Sequence, residues 1–280
     1  MCYNPRPMTS RSLALVLLLA AAIACSESKK KEDPPPPPVP ELNMQETIAL
    51  ESNPGSTPPL TDATVPAPAP MEGLDGAPGP SPAYGPASAP VYVFVLTDFQ
   101  CPVCRRVVEP IKYLARRYPT EVRLVVKQNA LVSHGRAAAA AAAALAAFRQ
   151  GKYWAYEDRL YSNSGSLDDE GLVTNAQALG LDAERFRKDM ADPALAAQVK
   201  YENALANKIE LASTPGFIIN GTKQMGWGSY NGLKATVEKE LARAKKIAES
   251  GVAPDRVAYE ATKQSGPNGE TIANALFPKK

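Results

Sequence analysis

Four cysteines and a single histidine, His134, are all that 280 residues offer to thiol or imidazole chemistry. A structural zinc needs about four ligands, so a zinc site here would have to recruit carboxylates. A membrane-spanning run is also missing: the apolar stretch LALVLLLAAAIA at residues 13–24 is about a dozen residues long, where a spanning helix needs roughly 20. Charge of one sign is not in excess either. The chain sets 31 Lys+Arg against 29 Asp+Glu for a formal net charge of +2, so a nucleic-acid partner is excluded. With 45% apolar residues the chain has enough material for one or two domains with a core.

The apolar stretch follows Arg6 and Arg11 and ends in small residues before Cys25, the pattern of a bacterial export signal. Ala22-Ile23-Ala24-Cys25 resembles the lipobox of bacterial lipoproteins, although Leu is commoner than Ala at its first position. The resemblance implies cleavage before Cys25, lipidation of its thiol, and a soluble domain that is anchored to a membrane rather than spanning it. Ser26 resembles outer-membrane sorting in some Gram-negative bacteria, so the expected location is the cell envelope, facing the periplasm. Cys2 leaves with the signal, which leaves Cys101 and Cys104 as the free thiols. An oxidising compartment permits their disulfide, but the loop it closes is too small to staple a fold, so the pair reads as chemical rather than structural.

Between residues 26 and 90 lie 17 of the chain's 27 prolines, a composition from which no core forms. Such a segment is a semi-rigid tether, and at ~3.1 Å per residue its extended reach is up to ~200 Å. The expected division is a signal at 1–24, a tether at 25–83, a folded domain at 84–248 and a polar, loosely ordered tail at 249–280. Folded structure should open with a β-rich run at 91–96, apolar on both faces, followed by a helix from Pro102 and a second strand at 122–127. In that helix Val107, Val108, Ile111 and Leu114 recur on one face, and Pro110 is expected to kink it. Strand, helix, strand at this spacing is a βαβ unit with a right-handed crossover.

A helical insertion at about 135–211 follows: an alanine-rich helix at 137–147, helices at 153–161 and 166–179, and a longer one opened by Asp192-Pro193. Ser166 and Asp169 are expected to form a capping box. Asn220-Gly221 then marks a hairpin between short strands at 216–219 and 222–227, a reading that outweighs the glycosylation sequon it overlaps. A closing helix spans about 230–248.

Cys-Pro-Val-Cys sits at the first strand-to-helix junction. A lone Cys-x-x-Cys also occurs at zinc and iron–sulfur sites, and position is what raises this one. Cys101 falls at a helix N terminus, where unpaired N–H groups and the positive dipole end favour the thiolate that attacks a disulfide. Cys104, one turn in, is shielded and placed to resolve a mixed disulfide. Pro102 suits the first helical turn, where a missing N–H costs nothing.

The order βαβ, helical insertion, ββα, with Asp98-Phe99-Gln100-Cys101-Pro102 and Thr214-Pro215-Gly216-Phe217-Ile218-Ile219-Asn220-Gly221, resembles the DsbA-like thioredoxin-fold oxidoreductases over roughly residues 84–248. The resemblance implies an α/β thioredoxin fold with an inserted helical subdomain and a thiol:disulfide oxidoreductase without a dissociable cofactor. It makes Cys101 the attacking sulfur, Cys104 the resolving one, and Pro215 a cis-proline facing them, with Thr214 pairing its backbone with substrate. Ser213 departs from the Gly of many relatives. Val103 replaces the His that strongly oxidising relatives carry, which implies a less oxidising couple and leaves the direction of electron flow open. His134 matches a histidine often seen before the first inserted helix; it reads first as a packing residue near the active face and second as an auxiliary. The expected partners are cysteine-containing envelope proteins and a membrane redox protein, acting on a monomer. Two alternatives remain: a reductase or isomerase of the same fold, and a copper-binding module using Cys101, Cys104 and His134.

Overall fold

The computed structural model describes residues 79–277, so the export signal, Cys25 and most of the proline-rich segment lie outside the described residues. The core of the sheet is a parallel pair, β2 (Val91–Thr97) and β3 (Val122–Gln128), with Val91 opposite Val122 and Thr97 opposite Gln128. Helix α1 (Pro102–Arg117) makes the crossover between them and runs through Pro110 without interruption. All seven residues of β2 are buried. The two-residue period explains how: Val91, Val93 and Val95 join a core with Val107, Ile111 and Leu114 of α1, while Tyr92, Phe94 and Leu96 join a second core on the opposite face.

Two more strands extend the sheet. β4 (Gly216–Ile219) pairs antiparallel with β2, and β5 (Thr222–Met225) antiparallel with β4; with a two-residue strand β1 (Ala83–Tyr84) at the other edge, the order is β1-β3-β2-β4-β5. The turn at Asn220 and Gly221 needs positive φ at both residues, and the two adopt 43° and 90°. Asn220 is fully buried because its side chain ties the hairpin to β2: the Tyr92 N–H donates to its Oδ1 at 2.9 Å, and its Nδ2 donates to the Pro90 carbonyl at 2.9 Å. Helix α7 (Tyr230–Glu249) returns over the face that carries α1.

Five helices make up the insertion: α2 (Ala137–Arg149), α3 (Tyr153–Ser162), α4 (Asp169–Gln177), α5 (Ala183–Met190) and α6 (Pro193–Lys208). Eight of the ten alanines of α2 are buried, and their small side chains let α3, α5 and α6 close around the helix. The expected capping box at Ser166 and Asp169 is not what starts α4. Asp168 is the cap, accepting the Gly171 N–H at 2.9 Å, because an ionised carboxylate is the stronger acceptor for an orphan N–H. Helix α5 was not expected. Its start is nonetheless written in Asp182, whose carboxylate accepts the Arg185 N–H at 3.0 Å.

Buried charges fasten the insertion to the sheet layer. Lys112 of α1, with no exposed side-chain surface, reaches Glu157 at 3.0 Å and Asp158 at 2.5 Å on α3. Lys127 of β3 meets Glu202 of α6 at 3.3 Å, and Ser81 bridges the two. Glu202 also accepts the Gln128 N–H at 2.6 Å, so each charge has more than one partner.

Both ends of the expected domain are corrected by the structure. Ahead of residue 84, Ser81 and Ala83 are already buried, and β1 (Ala83–Tyr84) pairs antiparallel with β3. Beyond residue 248 the loosely ordered tail is instead a 3₁₀ turn (Pro254–Arg256) and two helices, α8 (Val257–Lys263) and α9 (Gly269–Leu276). Their apolar residues cover the sheet face that α1 and α7 leave open. Ala258, Ile272, Leu276 and Phe277 pack with Tyr92, Phe94 and Ile218, and Phe277 lies 5.0 Å from the Tyr92 ring and 5.5 Å from Phe94. A doubly apolar strand requires two covering layers, and α6 and the C-terminal helices supply the second.

Candidate active site

Helix α1 begins immediately after the turn that leaves β2, which sets Cys101 at the N-cap with extended backbone angles of φ −75° and ψ 116°. Its sulfur does what a capping oxygen does elsewhere, accepting the Cys104 N–H at 3.4 Å. Pro102 occupies the first turn and is exposed, Val103 is half-buried, and Arg105 and Arg106 face solvent. Cys101 retains 6% of its surface and Cys104 none, so the two thiols differ sharply in access. Burial pushes the Cys104 thiol up to about 12; a backbone hydrogen bond from Asp98 and one from Thr97 work against the shift, and the neighbouring Cys101 adds to it.

Across from the cysteines, the loop entering β4 presents Thr214 and Pro215, joined by a cis peptide bond. The Cys101 thiol donates to the Thr214 carbonyl at 3.5 Å. The structure brings Cys101, Pro102, Val103, Cys104, Thr214 and Pro215, the residues singled out in the sequence, to one place, although 113 positions separate Cys101 from Thr214. Cys25 lies outside the described residues. Trp227 lies beyond β5, 6.2 Å from the Phe217 ring in β4.

His134 joins the site through an intermediary. Its Nδ1 is 2.8 Å from Asp98 Oδ2, and the same carboxylate accepts the Leu131 N–H at 2.8 Å and the Gln100 N–H at 2.7 Å. The Asp98 carbonyl in turn accepts the Cys101 N–H at 3.1 Å. Asp98 is 1% exposed and staples the cysteine turn to the loop that leads into α2. Sequence reasoning quoted Asp98 as part of the motif without a role. Its signal was available: an acidic residue directly after an all-apolar strand is buried, and a buried carboxylate must collect donors. Gln100 adds a second staple, its Oε1 accepting the Arg136 N–H at 2.6 Å. Among the described residues no group of three or more His, Cys, Asp or Glu side chains is gathered as metal ligands would be.

Comparison with known proteins agrees with this geometry. The family described as Thioredoxin matches residues 78–239. A crystal structure of a thioredoxin-like oxidoreductase from Silicibacter pomeroyi DSS-3 is 31% identical, covers 59% of this chain and 92% of that one, and superposes with a TM-score of 0.53. The thiol-disulfide exchange protein alpha-DsbA2 from Wolbachia pipientis shares the fold at 21% identity, over 57% of this chain and 86% of that one, with a TM-score of 0.52. A curated relative, Na(+)/H(+) antiporter NhaA 3 of Salinispora tropica, is 34% identical over 61% of this chain but only 26% of its own length. This chain thus matches about a quarter of that protein. It belongs to the thioredoxin family, as a thioredoxin-like oxidoreductase with the helical insertion of the DsbA-like form.

Proposed function

We propose that the protein is an exported thiol:disulfide oxidoreductase that exchanges disulfides with cysteine-containing proteins of the cell envelope, tethered to a membrane by lipid on Cys25. The observation that carries the chemistry is the asymmetry of the two thiols: Cys101 retains a little surface at a helix N terminus, and Cys104 one turn behind it has none. In the oxidising direction a substrate thiolate attacks Cys101 Sγ of the enzyme disulfide, and the electron pair of the broken S–S bond leaves on Cys104. The second substrate thiolate then attacks the substrate sulfur of the mixed disulfide and expels Cys101. Two protons and two electrons pass from the substrate dithiol to the enzyme dithiol. Reduction of a substrate disulfide runs the same steps in reverse.

The Thr214 carbonyl supports the reading further. It faces Cys101 from a loop whose backbone an extended substrate segment could pair with, in the manner of strand addition. Anchoring and envelope location rest on the lipobox-like tetrad and the export signal, and a membrane redox protein would recycle the pair. The test is to trap substrates with Cys104→Ala in the parent organism. Mixed disulfides that migrate as large, reductant-sensitive species on gels are expected, and they should vanish when Cys101 is also replaced. Loss of membrane fractionation in Cys25→Ala tests the anchor separately.

A further inference from the structure

Asn129, the first residue after β3, is 4% exposed and joins three parts of the active face. Its backbone N–H donates to the Thr97 carbonyl at 2.8 Å, at the end of the strand that leads into the cysteine turn. Its side-chain Nδ2 donates to the Ala212 carbonyl at 3.0 Å, 83 positions along the chain and shortly ahead of Thr214. The next residue is held as well: the Ala130 carbonyl accepts from Nδ2 of Asn203, on α6, at 2.9 Å. The arm that reaches Ala212 is therefore anchored at its base.

The bond to Ala212 holds a segment that packing does not. Leu211 and Pro215 are buried, and each is pinned through the backbone: the Leu211 N–H donates to the Ala206 carbonyl at 2.9 Å, and the Pro215 carbonyl accepts the Gly226 N–H at 2.8 Å. Between these anchors Ala212 and Ser213 are exposed and Thr214 is half-buried, so little apolar surface restrains the stretch. Yet this is the stretch whose backbone faces the cysteines, with the Thr214 carbonyl 3.5 Å from Cys101 Sγ. A loop left free would have to be ordered each time a substrate strand paired with it, and that ordering costs affinity.

We propose that Asn129 is a positioning residue for polypeptide substrates: its amide pre-sets the loop at 212–214, so that the Thr214 backbone stands opposite Cys101 before an extended segment arrives. The role rests on the thiol:disulfide reading of the site and deepens it. Reactivity of the Cys101 sulfur toward a small disulfide comes from the helix N terminus and does not pass through the loop. Recognition of a backbone on either side of the substrate cysteine does. Asn129 thus separates polypeptides from small-molecule disulfides as substrates of the same sulfur.

The test compares two mixed disulfides of thionitrobenzoate reacting with the reduced full chain, one with 2-mercaptoethanol and one with the cysteine of an extended peptide of about nine residues. In both, the Cys101 thiolate attacks the alkyl sulfur, the S–S bond breaks, and its electron pair leaves on thionitrobenzoate, whose absorbance gives the rate. The Cys104 thiolate then attacks Cys101 Sγ and expels the alkyl thiolate, which takes a proton from water. The wild type should favour the peptide. Asn129→Ala, and Asn129→Asp, which keeps the shape but loses the N–H donor, should lower kcat/KM for the peptide about five- to tenfold through KM, and leave the mercaptoethanol compound within about twofold of wild type. An unmoved peptide KM overturns the proposal, and so does equal slowing of both compounds, which would place the effect in the cysteine turn through Thr97. Should both Asn129 variants fail to fold by circular dichroism, Asn203→Ala decides, since it frees the Ala130 peptide from the α6 side, and an unmoved peptide KM there is equally fatal. A wild type indifferent to the peptide backbone also overturns the role of Asn129. A wild type that reacts with neither compound overturns the redox reading itself.

Discussion

Cys101 Sγ lies 3.5 Å from the carbonyl oxygen of Thr214, so the cysteine pair and the loop entering β4 form one surface, although they come from distant parts of the chain. Each side of that contact is held by the same sheet, because β2 delivers the cysteines and its neighbour β4 delivers Thr214. The geometry of exchange is therefore built on rigid elements rather than on loops alone.

The unequal burial of the thiols predicts unequal reactivity. In the reduced protein, Cys101 should be alkylated by iodoacetamide at pH 8 while Cys104 stays protected. Burial raises the Cys104 thiol to about 12, so its thiolate, the reactive form, is scarce until the pH approaches that value. Mass spectrometry of singly and doubly modified chains between pH 7 and 11 gives the answer, with rapid double modification at pH 8 as the contrary outcome.

His134→Ala should leave the rate of dithiol exchange within about threefold of wild type. The variant removes one donor from Asp98, and two backbone N–H donors remain. The cost should appear as stability, about 1–2 kcal/mol in a urea titration, as expected for a hydrogen bond to a buried carboxylate from an imidazole that is itself partly open to water. Loss of exchange with unchanged stability would make the imidazole a participant in the chemistry. A copper-binding function would show as stoichiometric Cu(I) uptake abolished by the same substitution.

Lys112 and Glu157 make a prediction about both mutation and pH. Burial alone would lower the Lys112 ammonium, but Glu157 and Asp158 outweigh it and hold the group above its usual value. A lysine with a raised folded pKa contributes stability that is complete below the unfolded value and lost as pH rises through the folded one. Thermal stability should therefore hold up to the ordinary lysine range and fall above it. Lys112→Ala strands Glu157 in the interior and should cost about 3–5 kcal/mol, partly recovered by adding Glu157→Gln. A flat alkaline limb in the wild type together with a mild Lys112→Ala would contradict the assignment.

Phe277→Ala should destabilise the chain by about 3–5 kcal/mol, since the ring fills the core between Tyr92, Phe94 and Tyr259. Deleting the residues after 253 should expose the same sheet face and raise binding of a hydrophobic dye. Denaturant unfolding of the two variants checks both; an unchanged midpoint would mean that α8 and α9 add nothing to the fold.

The cysteine site was legible in the sequence because its signals are local. An apolar run, a Cys-Pro-Val-Cys and a Thr-Pro before a short strand each occupy a few adjacent residues, and the resemblance ordered them. The meeting of Thr97 and Tyr161, whose hydroxyl oxygens lie 2.6 Å apart, was not legible, since a hydroxyl at a strand end and a tyrosine on a helix say nothing separately about meeting. The C-terminal helices were missed for a different reason. Residues 257–277 are short, interrupted by Gly266 and Pro267, and take much of their apolar character from alanines (Ala258, Ala261, Ala273 and Ala275) beside Val257, Ile272, Leu276 and Phe277, a pattern that becomes persuasive only once an uncovered sheet face is seen. The Asp168 cap lost to Ser166 in the reading because a motif template was matched where acceptor strength decides.

The most direct test of the central claim is the equilibrium between the Cys101–Cys104 dithiol and its disulfide in glutathione buffers, read by trapping free thiols. With Val103 between the cysteines, the account predicts a reversible disulfide whose potential lies below the roughly −120 mV of the most oxidising members of the family and at or above about −270 mV. A pair that stays reduced across the whole range of buffers would contradict it.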